Sequence, residues 1–291
     1  MPQSESIEKE RSLPLFSYEK AEELYASGYD FEYATTKEEF FFKISETTKM
    51  LVLDPRPAPS ALNTIYPKEY EPYQFHNMPW VLRTARNLVQ GLKVNVLLKY
   101  LPNNAKILEI GCGNGSFLQL IKSKSSSAQL HANDLNKECM DELKKRGFKT
   151  HNCSYEDIEL YDHFDAIILN QVIEHFSDPR SLLNHCHKLL KVGGVILIET
   201  PSIDGIDAKI FANRYWGGYH FPRHFYLFNE TALKMLALEC NLKTERIDYL
   251  ASPAFWTQSL HHLLLDKGFP KLAKLMHLRN IPLTALVTII D

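Results

Sequence analysis

The sequence lacks the features that mark secreted, disulfide-bonded and membrane-spanning proteins. Its five cysteines form no Cys-x-x-Cys pair and are scattered: Cys112, Cys139, Cys153, Cys186 and Cys240. An odd, dispersed set predicts free thiols in a reducing compartment. Residues 1–11 are polar and lack the apolar core of a secretory signal. The longest apolar run, Leu283–Ile290, is far shorter than the roughly 20 residues that span a bilayer. A cytoplasmic protein is therefore expected.

Neither sign of charge dominates the chain. Thirty-three Lys and Arg residues stand against 35 Asp and Glu residues, for a formal net charge of −2. No basic stripe is visible, so the sequence shows no electrostatic footprint for nucleic acid. We expect a small-molecule partner and neither a nucleic-acid nor a membrane partner, while the pattern leaves the oligomeric state open.

Residues 1–100 are predicted to form an N-terminal region of helices and a lid. Apolar faces predict helices over residues 17–26 and 36–50, and a further helix from residue 83 to Tyr100. Six prolines within residues 53–80 exclude a long helix there. The same stretch is rich in aromatic residues, which predicts a packed lid rather than a linker.

Residues 101–250 alternate between short apolar runs and helical segments. The predicted strands are Lys106–Ile110, Gln129–Asn133, Phe148–Asn152, Phe164–Leu169 and Val195–Glu199. The predicted helices are Ser116–Lys122, Lys137–Arg146, Asp178–Lys191 and Asn229–Glu239. This alternation predicts an α/β fold with a Rossmann-like, mostly parallel sheet and helices on both faces. Residues 251–291 are predicted to be a mainly helical C-terminal extension.

One motif dominates the predicted core. The segment Ile107–Leu118 runs from an apolar strand through Gly111, Gly113 and Gly115 into a helix. Its spacing is G-x-G-x-G, whereas a dinucleotide site requires G-x-G-x-x-G, whose third position here is Ser116. A carboxylate, Glu109, precedes the loop; it suits a ligand with an amino group and a sulfonium better than a pyrophosphate. The motif therefore favours S-adenosylmethionine (SAM) over NAD.

A second carboxylate, Asp134, follows the second predicted strand. Ligands of such sheets bind beyond the carboxyl ends of the strands, and an acid at this position can accept hydrogen bonds from ribose hydroxyls. Both acids are therefore expected at one ligand site.

With these motifs the sequence resembles the class I SAM-dependent methyltransferases, over roughly residues 100–250. Within that class it is similar to the branch that includes the ubiquinone-biosynthesis O-methyltransferases. The motifs that carry the resemblance are ILEIGCGNGSF, ANDLN, SYEDI, FDAIILNQVIEHF and LLKVGGV, in that order. Val192 stands where the family usually has proline.

The resemblance implies SAM as the methyl donor and S-adenosylhomocysteine (SAH) as the product. It implies that Glu109 orients the methionyl amine and that Asp134 binds the ribose. The other implied cofactor contacts are Gly111, Cys112, Gly113 and Asn114 in the loop, Leu135, Glu156 and Asp157 around the adenine, and Asn170 and Gln171 beside the methionyl group.

The chain departs from this family in two places. Related proteins often carry an N-terminal cysteine-rich zinc module, which is excluded here because no cysteine precedes Cys112. The family core also ends in an antiparallel strand pair. Lys243–Leu250 is expected to supply one of these strands, whereas the tail Ile281–Asp291 is a poor candidate for the second.

The candidate substrate side follows the fourth and fifth strands. A base is needed only where the acceptor must lose a proton, and His175 is the first candidate, with His220 and His224 as further ones. Glu174 is expected to hold the His175 imidazole near the substrate; some family members use this pair for a divalent metal, but no metal is assigned here. Aromatic walls and an anion grip are expected from Tyr215, Trp216, Tyr219 and Arg223.

Structural readings of these residues stay open. Asp134 is also a candidate helix N-cap, His220 and His224 are candidate loop anchors, and Arg223 is a candidate partner for a core carboxylate. Three functions remain: methyl transfer to a small or carrier-tethered acceptor, preferably at oxygen; a catalytically silent methyltransferase fold used for binding; and a nucleotide-dependent oxidoreductase. Nitrogen and carbon acceptors remain open as well.

Overall fold

The computed structural model describes residues 6–12, 14–16, 20–67, 70, 72, 80–250, 253–276 and 286–290. The strands are β1 (Lys9–Glu10), β2 (Ala21–Gly28), β3 (Phe40–Ser45), β4 (Leu51–Leu53), β5 (Arg56–Pro57), β6 (Lys106–Ile110), β7 (Gln129–Asn133), β8 (Lys149–His151), β9 (Phe164–Asn170), β10 (Leu190–Thr200), β11 (Tyr226–Leu227), β12 (Thr244–Tyr249) and β13 (Leu286–Ile290). The helices are α1 (Leu62–Ile65), α2 (Trp80–Leu98), α3 (Ser116–Lys124), α4 (Lys137–Lys145), α5 (Pro179–Leu189), α6 (Ile206–Ile210), α7 (Glu230–Glu239), α8 (Pro253–Asp266) and α9 (Pro270–Met276).

A mostly parallel sheet forms the centre of the molecule, as the alternating pattern predicts. Its strand order is β12-β13-β10-β9-β6-β7-β8, and β10, β9, β6, β7 and β8 pair in parallel. Because parallel strands are joined by crossover helices, both faces of this part of the sheet can be covered. The prediction of a Rossmann-like α/β core is confirmed.

Helices bury apolar residues against both faces of the sheet. On one face, α2, α3 and α4 contribute Leu97, Phe117 and Leu143, which pack in one cluster with the inner strands. On the other face, α5 and α7 contribute Leu183 and Leu236 to a second cluster. Full burial of each such side chain stabilises the fold by roughly 1.5–3 kcal/mol.

The helices of the core begin where the sequence supplies a cap. The side chains of Asn136, Asp178 and Asn229 each accept a hydrogen bond from the backbone amide three residues later, at the starts of α4, α5 and α7. Such caps satisfy one of the amides left unpaired at a helix start and contribute about 1 kcal/mol. Pro179 at the first position of α5 loses no hydrogen bond there.

The N-terminal region contains a second sheet, and the prediction of helices over residues 17–26 and 36–50 is wrong. The order β11-β4-β3-β2 is antiparallel throughout, with Phe42 opposite Leu53 and Ile44 opposite Leu51. Phe40, Phe41 and Phe42 are consecutive, so they satisfy a helical period and a strand period equally well. Burial alternates along the strand, with Phe40 and Phe42 inside and Phe41 half-buried, which is the period of a strand.

This second sheet joins the N-terminal region to the core. Tyr226 of β11 pairs with Val52 of β4, although β11 lies in the segment that follows β10. The loop carrying the second predicted substrate cluster is thus held against the N-terminal sheet. The predicted lid over residues 53–80 lies partly outside the described residues.

The C-terminal region also differs from its prediction. Helices α8 and α9 are followed by β13, which inserts antiparallel between β10 and β12, with Ile198 opposite Thr288 and Ile247 opposite Thr288 on its other side. The expectation that the tail is a poor second strand is therefore wrong, while the helices α8 and α9 precede this strand in the described part of residues 251–291. The sequence of the tail contains β-branched residues, such as Val287 and Ile289, which are typical of strands.

Candidate functional site

The glycine loop between β6 and α3 has a backbone that other residues rarely adopt. Gly111, Gly113 and Gly115 all have positive φ, at 66°, 50° and 68°. A Cβ at Gly111 would stand 2.7 Å from a methyl carbon of Val172, and one at Gly115 would stand 2.5 Å from a methyl carbon of Leu143. Glycine is therefore required both by conformation and by the close packing of the loop.

Asp134 stands at the tip of β7 and faces this loop. Its Oδ2 accepts a hydrogen bond from Gly113 N at 2.9 Å, and its Oδ1 accepts one from Asn136 N at 2.9 Å. Burial raises the pKa of this carboxyl, and the backbone hydrogen bonds oppose that rise. The structure thus brings the two predicted cofactor motifs into contact, at the carboxyl edge of the sheet.

Glu109 lies beneath the loop and is almost fully buried. Burial raises its pKa to about 8; a hydrogen bond from Asn170 opposes the rise, while the nearby charges of Asp134 and Glu199 add to it. Within the described part of the chain, its Oε2 has no hydrogen-bond partner. A buried carboxyl oxygen without a partner costs free energy, so this atom is suited to receive a donor from a ligand. We call Glu109, Gly111, Gly113, Gly115 and Asp134 the cofactor edge.

A buried ion pair that no sequence motif indicates lies beside the cofactor edge. Lys93 of α2 pairs with Glu199 at the end of β10, and both side chains are nearly inaccessible. A lysine within the apolar face of a predicted helix is the signal that could have identified it, because a lysine is seldom buried unless paired.

The other predicted cofactor residues surround the loop at varied exposure. Leu135 is 73% exposed and therefore available to cover a flat ligand. Glu156 and Asp157 are exposed, Asn170 and Gln171 are half-buried, and Cys112 is buried between the glycines. Asn114 donates its backbone N–H to the carbonyl of Pro72 at 3.0 Å, so the N-terminal region contacts the loop.

The three predicted catalytic histidines come together as one histidine cluster, made of His175, His220 and His224. The ring centroids of His175 and His224 lie 4.6 Å apart, and those of His220 and His224 lie 4.9 Å apart. His175 lies 6.1 Å from His220 by the same measure. A loop after β9 and a loop after β10 meet here.

Each histidine of the cluster has its Nδ1 engaged. His175 Nδ1 lies 3.0 Å from the carbonyl oxygen of Arg223 and 3.0 Å from the hydroxyl of Tyr66. His224 Nδ1 lies 2.8 Å from the carbonyl oxygen of Gly218. Because a carbonyl only accepts, these two rings carry their proton on Nδ1. Burial lowers the pKa of His175 to about 3 and that of His224 well below its usual value, and neighbouring histidines lower both further.

Glu174 lies beneath the cluster and is fully buried. Its Oε2 accepts a hydrogen bond from Thr200 Oγ1 at 2.9 Å, and its Oε1 is 3.9 Å from His224 Nε2. Burial raises its pKa to about 8. Glu174, His175 and His224 place one potential metal-ligand atom each within 4.8 Å of one another. With this raised pKa the Glu174 carboxyl is protonated at neutral pH. The three residues are therefore a buried carboxylic acid beside two neutral imidazoles.

The predicted aromatic walls and anion grip have structural partners instead. Trp216 and Tyr219 are 1% exposed, and Trp216 donates its indole N–H to Asp207. Tyr215 donates its hydroxyl to Asp266 of α8. Trp216 and Tyr219 therefore pack inside the structure, whereas Tyr215 is half-buried and remains partly accessible.

Arg223 is fully buried and makes a two-pronged ion pair with Asp30, at 3.0 and 2.8 Å. Its Nε donates to the carbonyl of Ile65, and its guanidinium lies 4.5 Å from the ring centroid of Tyr33. Four of its five N–H groups donate to protein oxygens and the side chain is inaccessible, so the structure has the alternative, a pair with a core carboxylate, in place of the expected anion grip. The partner, Asp30, lies in the loop 29–36 that follows β2 of the N-terminal sheet. No sequence motif indicates this loop as part of the site.

Comparison with known proteins agrees with this architecture. The family model for a methyltransferase domain matches residues 82–247. A malonyl-[acyl-carrier protein] O-methyltransferase of Ilyobacter polytropus is 28% identical over 37% of this chain and 44% of its own length. The human mitochondrial ubiquinone biosynthesis O-methyltransferase is 30% identical over 36% of this chain and 33% of its own length. The chain thus spans less than half the length of these two curated relatives.

The fold is also found among solved structures. A 1,6-didemethyltoxoflavin-N1-methyltransferase of Burkholderia thailandensis, solved with its substrate and SAH, superposes with a TM-score of 0.55. The match covers 83% of this chain and 93% of that one at 17% identity, which shows a shared fold. The [4+2]-cyclase SpnF matches with a TM-score of 0.50 at 14% identity, over 75% of this chain and 84% of that one. Among the described residues, no helix is long and apolar enough to cross a membrane.

Proposed function

The chain belongs to the methyltransferase-domain family, and from that premise we propose that it transfers a methyl group from SAM to a small-molecule acceptor. The observation that carries the proposal is the cofactor edge. There, three left-handed glycines stand beside the carboxylate of Asp134 and above the buried carboxyl of Glu109, whose Oε2 has no hydrogen-bond partner among the described residues. A loop of this shape lets a ligand approach the backbone closely, while the two acids face groups that donate hydrogen bonds.

The residues of the cofactor edge fit the chemical groups of SAM. Glu109 offers an unpartnered Oε2 to the methionyl amine, and Asp134 offers its carboxylate to the ribose hydroxyls. The exposed side chain of Leu135 offers an apolar surface to the adenine. When bound, SAM supplies an activated methyl group on a sulfonium. The chain's own task is then to align the acceptor and to exclude water.

We infer oxygen as the acceptor atom. The support is that the curated relatives are named as O-methyltransferases, one of ubiquinone biosynthesis and one of a malonyl group on acyl carrier protein. A carrier-tethered acceptor follows from the second name only. A hydroxyl acceptor must lose its proton during transfer, and the histidine cluster offers imidazole nitrogens for that proton.

A second candidate function is a binding module that performs no methyl transfer. One observation favours it: the carbonyl of Pro72 accepts the hydrogen bond of Asn114 N, so Pro72 lies on the glycine loop. A Cβ at Gly113 would stand 2.5 Å from that same carbonyl oxygen. In this candidate the N-terminal region keeps the loop covered.

Isothermal titration with SAH tests both functions. Micromolar or tighter binding is expected for a methyltransferase, followed by SAH release when SAM is supplied with 4-hydroxybenzoate, 3,4-dihydroxybenzoate, malonyl-acyl carrier protein or a primary amine. Binding without turnover on the whole panel would favour the binding module. Absence of SAH binding by protein with a cooperative thermal unfolding transition would contradict the proposed cofactor site.

A further inference from the structure

A carboxylate of the N-terminal sheet reaches the histidine cluster. Glu32, in the loop between β2 and β3, places its Oε1 2.7 Å from Nδ1 of His220. Both side chains are 12% exposed. In the described part of the chain, no hydrogen-bond partner stands at the Nε2 of His220, so this nitrogen is the open one. We propose, on the premise of the methyltransferase function above, that Glu32 is the positioning residue that makes His220 the proton acceptor of the reaction.

The contact with Glu32 fixes the tautomer of the His220 ring. A carboxylate accepts and does not donate, so its contact with Nδ1 keeps the proton of His220 on that nitrogen. The lone pair of a neutral ring is then on Nε2, the nitrogen without a partner. A base held by a third group in this way is the arrangement that activates nucleophiles in many unrelated enzymes.

A positive charge develops on the base during methyl transfer. A base that takes a proton becomes an imidazolium, and its surroundings must stabilise that cation. His175 and His224 face backbone carbonyls and one another, and they lie in the field of the Arg223 guanidinium, so both favour the neutral ring. His220 alone in the cluster has a carboxylate within hydrogen-bond distance. The geometry therefore selects His220 over His175.

The carboxyl of Glu32 is ionised, and its hydrogen-bond partner is His220. Although burial alone would raise the pKa of Glu32, the charge that the His220 ring carries once it is protonated, together with its hydrogen bond, lowers that pKa to about 2, with smaller contributions from His262 and Arg223. The alternative partner, His262, stands 4.0 Å away, and burial lowers its pKa to about 4. At neutral pH that ring is uncharged.

The backbone around the pair is fixed from both sides. His220 has a left-handed conformation at φ 42°, uncommon for a residue with a side chain. On the other side, the buried Asp30–Arg223 pair ties the Glu32 loop to the histidine loop. Such conformations persist where the surrounding structure holds them, and they cluster at functional sites.

In the resulting step, the acceptor's O–H bond releases its proton to Nε2 of His220. The electron pair left on oxygen forms the new bond to the methyl carbon, while the methyl–sulfur bond breaks and leaves its electrons on sulfur. The sulfonium charge is thereby replaced by the charge of the His220 imidazolium, which Glu32 neutralises. Atoms and charge balance without any further reactant.

The test compares Glu32→Gln with Glu39→Gln. Glutamine keeps the size of Glu32 and can still accept from Nδ1, but it carries no charge. Glu39 lies in the same region and pairs with Arg214, so it is a matched control. For Glu32→Gln we expect kcat to fall by about 10- to 100-fold, part of the 10²–10⁴ that general-base catalysis contributes. KM and SAH affinity should stay within about twofold, and Glu39→Gln should resemble the wild type.

Two further readouts separate positioning from a merely structural role. In the double variant Glu32→Gln/His220→Asn, kcat should equal that of His220→Asn alone, because Glu32 acts through the ring. The tautomer of the His220 ring, identified from the ¹⁵N chemical shifts of ¹⁵N-histidine protein, should be the Nδ1–H form in the wild type and should lose that preference in Glu32→Gln, because the glutamine amide can either accept from Nδ1 or donate to it. The groups around the ring are Glu32, His175, His224, Tyr33 and Tyr70, and His262 lies within reach of its charge.

The outcomes distinguish this proposal from the proposed function. Additive losses in the double variant, or a His220 tautomer that is unchanged in Glu32→Gln, would overturn the role of Glu32 even if the enzyme is active. No SAH binding by the wild type would overturn the cofactor site. The NMR measurement of the tautomer would still report on the Glu32–His220 pair, because it needs neither methyl donor nor acceptor.

Discussion

The cofactor edge and the histidine cluster are built from contacts of very different range. At the cofactor edge, Gly113 and Asp134 are 21 positions apart, and both stand at the tips of adjacent parallel strands. At the histidine cluster, Glu32 and His220 are 188 positions apart, and Asp30 and Arg223 are 193 apart. The residues of the first region therefore all come from the core, although Pro72 contacts its loop, whereas the second region exists only where the N-terminal sheet meets the core.

Because of this difference, the cofactor edge should keep its structure when a substitution disrupts the histidine cluster. The cofactor edge rests on strands whose side chains are buried on both faces, so it should hold its shape without the N-terminal sheet. The histidine cluster depends on a loop fixed by one buried ion pair and by the short pairing of β11 with β4. Binding of the donor and chemistry on the acceptor should therefore be separable by substitution.

The largest effect is expected from breaking the buried ion pair. Asp30→Ala leaves the guanidinium of Arg223 buried without a counter-charge, which should lower the free energy of unfolding by about 3–5 kcal/mol. Urea denaturation measures this change. SAH affinity, measured below the onset of unfolding, should stay close to that of the wild type. Asp141→Ala is the control, because its pair with Lys137 is exposed and its loss should leave the urea midpoint unchanged.

If folded Asp30→Ala also lost SAH affinity, the two regions would act as one unit, and the expectation that they are separable would be wrong. Wild-type stability would mean that the ion pair does not anchor the loop.

The reciprocal substitution acts on the cofactor edge. Asp134→Ala removes a buried acceptor of the Gly113 amide and the proposed partner of the ribose, so SAH binding should weaken by about 1–3 kcal/mol. Isothermal titration measures the change, and Asp248→Ala on the exposed β12 edge serves as the matched control. Unchanged affinity would remove Asp134 from the site.

The same difference in range explains what could be predicted from the sequence. The motif around Gly111, the acid at Asp134 and the strand-helix alternation are local patterns, and the parallel sheet follows from them. The prediction of helices in place of the N-terminal strands is wrong because Phe40–Phe42 fits both a helical period and a strand period. Only pairing with β4 decides between the two. The pairs made by Glu32 and Asp30 could not be predicted, because they depend on how two sheets pack.

The cofactor edge also makes a prediction about pH. The pKa of Glu109 is raised to about 8, so the carboxyl is protonated at neutral pH before a ligand arrives. A bound ammonium group favours the ionised form, so binding of SAH should release a proton. Affinity should then rise with pH by up to about tenfold per unit below pH 8 and level off above it. Titrations in buffers of different ionisation enthalpy measure the protons released.

Glu109→Gln is the test of that assignment, since the amide cannot release a proton. Its SAH affinity should depend on pH less than that of the wild type by close to one proton. An unchanged dependence would place the titrating group elsewhere, with Asp134 as the next candidate because its pKa is also raised by burial.

The smallest effect is expected from removing metal ions. Although Glu174, His175 and His224 bring potential ligand atoms together, the Glu174 carboxyl has a pKa of about 8 and accepts from Thr200. A protonated carboxyl is a poor ligand for a divalent cation, because ligands must be deprotonated to bind. Dialysis against EDTA should therefore leave the turnover and the thermal midpoint unchanged. A loss restored by Mg²⁺ or Zn²⁺, and absent in Glu174→Gln, would instead show that a cation ionises Glu174. The histidine cluster would then owe its charge balance to a metal as well as to Glu32.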